Sequence, residues 1–97
     1  MEIKVSEIYE KEGDLVNTCD KLNKIILGED WVQQNRWRMG RSVELYELNE
    51  DSNIYDYVSS YKVEEIVVQD DEIVFKVGSN DWDICTIKLT DKIKIIE

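Results

Sequence analysis

The chain of 97 residues contains no histidine, no proline and no alanine, and only two cysteines, four glycines and one phenylalanine. The missing histidine has the firmest consequence, because it removes the commonest general base and the commonest metal ligand together. With only two distant cysteines besides, the chain lacks the ligands for a zinc site. Cys19 and Cys85 have no spacing that suggests a disulfide framework, and two reduced, buried thiols are expected in a chain without an export signal. The longest apolar runs, among them residues 25–27 and 66–68, are three residues each. A membrane span needs roughly 18 or more. The opening Met-Glu-Ile-Lys-Val-Ser-Glu has no basic flank and no apolar signal core, which predicts a protein of the cytoplasm of the producing or infected cell. Neither a P-loop nor a Gly-x-Gly-x-x-Gly run occurs, and no cofactor is expected.

What is present makes a folded domain. Hydrophobic residues are 42% of the chain and include three Trp and five Tyr, enough for a small core and more than disordered chains carry. A chain of this length is expected to form one domain, residues 1–97, since two cores would be starved of apolar residues. Isoleucine occurs twelve times and lysine outnumbers arginine nine to three. That bias, with the absent alanine and proline, fits a low-GC genome such as that of a Gram-positive bacterium, its phages or its plasmids.

The clearest helix signal covers residues 14–27. Asp14 suits the N-cap, Leu15, Cys19, Leu22 and Ile26 form one apolar stripe, and Gly28 follows as a left-handed stop. Upstream, Ile3 and Val5 alternate as in a strand, while Val5, Ile8 and Tyr9 would extend the helical stripe backwards. Gly13 inside a helix costs roughly 1 kcal/mol, which favours a separate strand or turn before Asp14. From Arg36 onward the period becomes two: Trp37, Met39, Val43 and Leu45; Tyr61, Val63 and Val67; Ile73, Phe75 and Val77; Trp82, Ile84 and Thr86; Ile93 and Ile95. Residues 53–60 fit a helical turn or a strand. Polar turns between these runs are too short for crossover helices, so the meander is antiparallel. The expected class is α+β: one amphipathic helix packed on a twisted antiparallel sheet of four to six strands.

Charge is the most informative property of the chain. Residues 44–83 hold twelve acids against Lys62 and Lys76, and the remaining 57 residues carry ten acids and ten bases. The whole net charge of −10 therefore lies in one stretch. A field this one-sided repels anionic partners and steers cationic ones. The turn and strand acids Glu47, Glu50, Asp51, Asp56, Asp70, Asp71, Glu72, Asp81 and Asp83 are the candidate partner-binding residues. Hairpin turns at one end of a sheet would gather them into a patch that imitates nucleic-acid phosphates. The plainer reading is a solvated acidic face that serves solubility and protects sheet edges.

All three arginines, Arg36, Arg38 and Arg41, fall within six residues and interleave with Trp37 and Met39. Trp and Arg are favoured at protein interfaces, yet internal pairing with the surplus carboxylates is the preferred reading. Direct nucleic-acid binding would oppose the protein's own field. Residues 49–53 and 80–83 offer oxygen ligands, but neither has the order of a calcium loop. Cys19 lies on the helix stripe and Cys85 within a strand, with no histidine to activate either. An enzyme is not expected.

In size, charge placement and residue bias the chain is similar to the inhibitors that phages and mobile elements direct against host nucleases, such as anti-CRISPR and anti-restriction proteins. No motif carries that likeness. It implies an acidic protein that occupies the basic nucleic-acid-binding surface of a nuclease, such as a CRISPR effector, or of a related protein. In that reading Tyr55, Tyr57 or Trp31 supply apolar anchors. The alternative is a structural or oligomerisation module, for instance a homodimer joined through an open sheet edge. An oxygen-ligated calcium binder ranks last.

Overall fold

The computed structural model describes residues 1–28, 41–77 and 84–96. In chain order it runs β1 (Glu2–Lys4), α1 (Val5–Glu12), α2 (Leu15–Ile26), β2 (Arg41–Asn49), β3 (Ile54–Gln69), β4 (Glu72–Val77), β5 (Ile84–Ile87) and β6 (Lys92–Ile95). The six strands form one antiparallel sheet in the order β1-β6-β2-β3-β4-β5. The α+β class holds, with the sheet dominant and, among the described residues, two helices where the periodicity indicated one.

Helix α2 begins where expected. The Asp14 carboxylate accepts from the Asn17 backbone N–H at 2.7 Å, and the Thr18 hydroxyl donates to the Asp14 carbonyl at 2.6 Å. An Asp14→Ala substitution is expected to cost about 1 kcal/mol, read by chemical denaturation, since it leaves a first-turn donor without its side-chain acceptor. Gly13 explains the ambiguity upstream. At φ +78° it is the left-handed C-cap of α1, so the chain stops one helix there and starts another.

The long strand β3 is the spine of the sheet, and residues 54–60 enter it as strand after a turn at Asn53. Its first part pairs with β2 and its second with β4. Two register shifts bend it, one leaving Val58 as the extra residue and one leaving Glu64. The second shift reverses the side-chain alternation. Val63 and Ile66 are therefore the fully buried pair, while Val67, which strict alternation selects, lies on the other face and is only half-buried. In β5 the inward residues are Cys85 and Ile87, which stand opposite Phe75 and Ile73. Ile84 and Thr86 turn outward.

The sheet is coiled rather than flat. A flat arrangement would place β5 and β6 four strand spacings apart, roughly 19 Å. They are joined by residues 88–91 in a tight turn, where Asp91 N–H donates to the Lys88 carbonyl at 3.1 Å and Lys88 N–H donates to Asp91 Oδ2 at 2.9 Å. Curling brings the two strands together around a core of Val43, Leu45, Val63, Ile66, Ile73, Phe75, Ile87, Ile93 and Ile95. Leu22, Ile26 and Leu27 close it from the helical side.

Beyond Val63, β3 has no neighbouring strand on the β2 side among the described residues. Helix α2 fills the place. Asn23 Nδ2 donates to the Ile66 carbonyl at 2.9 Å, and the Cys19 thiol donates to the same oxygen at 3.2 Å. Burial, then the nearby carboxylates of Asp20 and Glu65, push the Cys19 thiol up to about 11. Cys85 is also raised, chiefly by burial, and both thiols are free. Native protein is therefore expected to react far more slowly with a thiol reagent at neutral pH than denaturant-unfolded protein does. Equal rates would contradict the packing.

Candidate functional site

The candidate acids divide into two groups. The first surrounds the β2–β3 hairpin. Asn49 shapes that turn, its side-chain oxygen accepting from Asp51 N–H at 3.1 Å and Ser52 N–H at 3.4 Å. Glu50 and Asp51 are left exposed at the tip. Just below, Glu47 and Asp56 stand directly opposite each other across the two strands, an unfavourable like-charge pair. Asn49 Nδ2 donates to Asp56 at 3.5 Å and Lys88 approaches Glu47 at 3.9 Å, which offsets part of that repulsion.

The second group, Asp70, Asp71 and Glu72, forms the β3–β4 hairpin. Asp70 and Asp71 both adopt left-handed backbone, φ 52° and 61°, as a two-residue turn between strands of this twist requires. Aspartate tolerates that conformation less well than Asn-Gly. The double change Asp70→Asn/Asp71→Gly is expected to leave the fold intact and to raise stability by a few tenths to about 1 kcal/mol in denaturant titrations, while deleting two carboxylates.

The two groups do not meet. Consecutive turns of a meander lie at opposite ends of the strand they share. Here that strand is 16 residues, about 50 Å of extended chain before bending. A single patch holding every turn carboxylate is therefore replaced by two acidic tips with Glu64 and Glu65 between them. Asp81 and Asp83 lie outside the described residues, as do Trp31, Arg36 and Arg38. Arg41 donates from Nη1 to the Ile26 carbonyl at 3.4 Å, at the last turn of α2, a contact with backbone rather than the carboxylate pairing expected for Arg36 and Arg38.

Residues that the local sequence did not signal make two further features. On the outer sheet face the Lys92 ammonium sits 4.8 Å from the ring centres of both Tyr46 and Tyr55 and 3.6 Å from Glu2. Tyr57 packs edge-on to Tyr46 with centroids 5.7 Å apart. Lys4 and Lys94 flank this cluster through the β1–β6 pairing. Cation and rings belong to strands paired only in the tertiary structure, so no sequence spacing reveals them. The second feature is a cavity of about 370 Å³ beside the β3–β4 hairpin, whose lining includes Tyr9, Leu15, Asp71, Glu72, Ile73 and Leu89.

Asp91 is the one carboxylate among the described residues that is almost completely buried, at 2% exposure. Burial lifts it above the ordinary carboxylate range, while the Lys88 backbone N–H pulls the other way. A raised acid binds its proton more tightly folded than unfolded. Its contribution to stability is therefore complete below the ordinary value and is lost as pH rises through the raised one. An Asp91→Asn variant is expected to lose that part of the pH dependence in denaturation curves measured between mildly acidic and neutral pH.

No group of three His, Cys, Asp or Glu residues placed to hold a metal ion occurs among the described residues, and no helix among them is long and apolar enough to cross a membrane. Comparisons with protein-family models, with curated proteins and with solved structures returned no match. Sheet, helices and charge therefore define the class: a small α+β protein whose coiled antiparallel sheet carries an acidic spine.

Proposed function

We propose that this is a non-catalytic, acidic protein-binding inhibitor that occupies the basic nucleic-acid-binding surface of a nuclease or related protein, in the manner of phage and mobile-element anti-CRISPR or anti-restriction proteins. One observation carries the reading. Ten carboxylates and two ammonium groups occupy residues 44–77, on β2, β3, β4 and their turns, while Lys88, Lys92 and Lys94 fall around β6 and Lys4 on β1. The molecule is 43 Å long, so its two acidic tips can reach separate basic clusters of one groove. Carboxylates pair with Lys and Arg of the target, and exposed Tyr57 adds an apolar contact. Electrostatics of this kind governs on-rate and salt dependence more than final affinity. Capture from a low-GC bacterial lysate tests it. The expected result is a nuclease or other nucleic-acid-binding protein that elutes as salt rises and is displaced by competing nucleic acid. An empty bait sinks the proposal.

A second reading rests on its own observation. Among the described residues no strand pairs with residues 54–62 on the side away from β2, and Ile54, Tyr57 and Val58 there are exposed. Such an edge can recruit another strand. If this is the protein's role, self-association measured by sedimentation persists at high salt, because backbone pairing and apolar contacts are not screened.

A further inference from the structure

We infer that the cavity beside the β3–β4 hairpin is the seat of an arginine side chain presented by the protein partner. The inference rests on the binding role proposed above and names the chemistry of one contact in it. The cavity is lined by the aliphatic residues Leu15, Ile73, Ile87 and Leu89 together with the acidic Asp71 and Glu72 and the aromatic Tyr9. Its volume of about 370 Å³ lies within the ordinary range for ligand sites. An arginine has the complementary pattern: an apolar stem that packs on aliphatic surface, and a planar, weakly hydrated cation that forks to carboxylates and stacks on aromatic rings. A plain apolar ligand makes no use of the two acids, and an anionic one meets their repulsion.

Lys88 also lines the cavity and its ammonium lies 3.9 Å from Glu47, and the two acids of the lining outnumber this one base. The cavity and its acids belong together for a structural reason. The hairpin turn places Asp71 and Glu72 at the end of β4, beside the point where the chain leaves β5. The start of α2 and α1 contribute to the lining through Leu15 and Tyr9.

The test uses the intact protein and N-acetyl-arginine amide, with N-acetyl-norleucine amide as the apolar comparison, followed by backbone amide shifts in NMR. Saturable shifts concentrated at Ile73, Thr86, Ile87 and Leu89 are expected, with arginine binding about tenfold or more tighter than norleucine. Asp71→Asn/Glu72→Gln should weaken the arginine complex about tenfold. Leu89→Trp, which fills the cavity, should abolish it in a protein whose remaining spectrum is unchanged. The exposed Asp20→Asn change on α2 should leave it as it was. Shifts that do not saturate, that spread equally over Glu50, Asp51 and Asp56, or that norleucine reproduces would overturn the inference. If a nucleic-acid-binding partner is captured and Leu89→Trp binds it unimpaired, the cavity assignment falls while the binding role stands. An empty capture removes the role itself.

Discussion

Phe75→Ala is expected to remove about 3–5 kcal/mol of folding stability, the largest single-residue effect expected among the described residues. Phe75 is fully buried and is the bulkiest of the fully buried side chains among the described residues. It lies in β4 between Ile66 of β3 and Cys85 of β5, at the centre of a sheet curled around it. Neighbours on adjacent strands are held by backbone pairing and cannot collapse into the space, so the cavity term adds in full to the lost transfer energy. Domains of this size hold about 5–15 kcal/mol in all. The variant should therefore show a transition midpoint lowered by roughly 12 °C or more in thermal denaturation. A loss below about 1 kcal/mol would contradict the packing described here. Phe75→Leu keeps most of the volume and should cost markedly less.

Reversing the second acidic tip with Asp70→Lys, Asp71→Lys and Glu72→Lys is expected to weaken capture of the basic partner at least tenfold at about 0.15 M salt. All three side chains are exposed, and exposed substitutions away from special features usually cost within about 0.5 kcal/mol each. The lysines do sit in left-handed backbone at two positions, which adds strain of order 1 kcal/mol per residue. Circular dichroism and denaturation should still report a folded protein. The Asn-Gly variant of the same turn serves as its partner: better folded, two charges poorer, and expected to bind less than wild type and more than the reversal. Unimpaired binding by both variants, with salt dependence unchanged, would exclude this hairpin from the interface. The first tip then becomes the segment to reverse.

Much of the local structure was legible because its causes are local. The Asp14 cap spans three residues, the α2 stripe recurs within four, and the two-residue turn at Asp70–Asp71 uses residue types that tolerate left-handed backbone. The charge excess of residues 44–83 is likewise a property of order along the chain, and so is the absence of histidine chemistry. Upstream of Asp14 the break at Gly13 was readable from the cost of a glycine inside a helix, but the strand or turn expected there is a short strand followed by a helix, Val5–Glu12. The left-handed backbone at Gly13 ends that helix.

The arrangement of the acids was decided by tertiary structure. Strand β3 is long enough to pair with β2 along one part and β4 along the other, and this sends its two acidic turns to opposite ends. The bulge at Glu64 moved the buried position from Val67 to Ile66, a shift that strict alternation cannot anticipate because it depends on how far the sheet must bend to close. Lys92 meets Tyr46 through strands joined only by long-range register. The cavity at Asp71 and Glu72 draws its walls from both helices and from the chain leaving β5. Sequence alone determined the sign and amount of charge and the helix and turn signals, because neighbouring residues set those. Where the charges face, and what apolar surface lies beside them, was decided by the coiling of the sheet, because pairing between distant strands places each side chain in space.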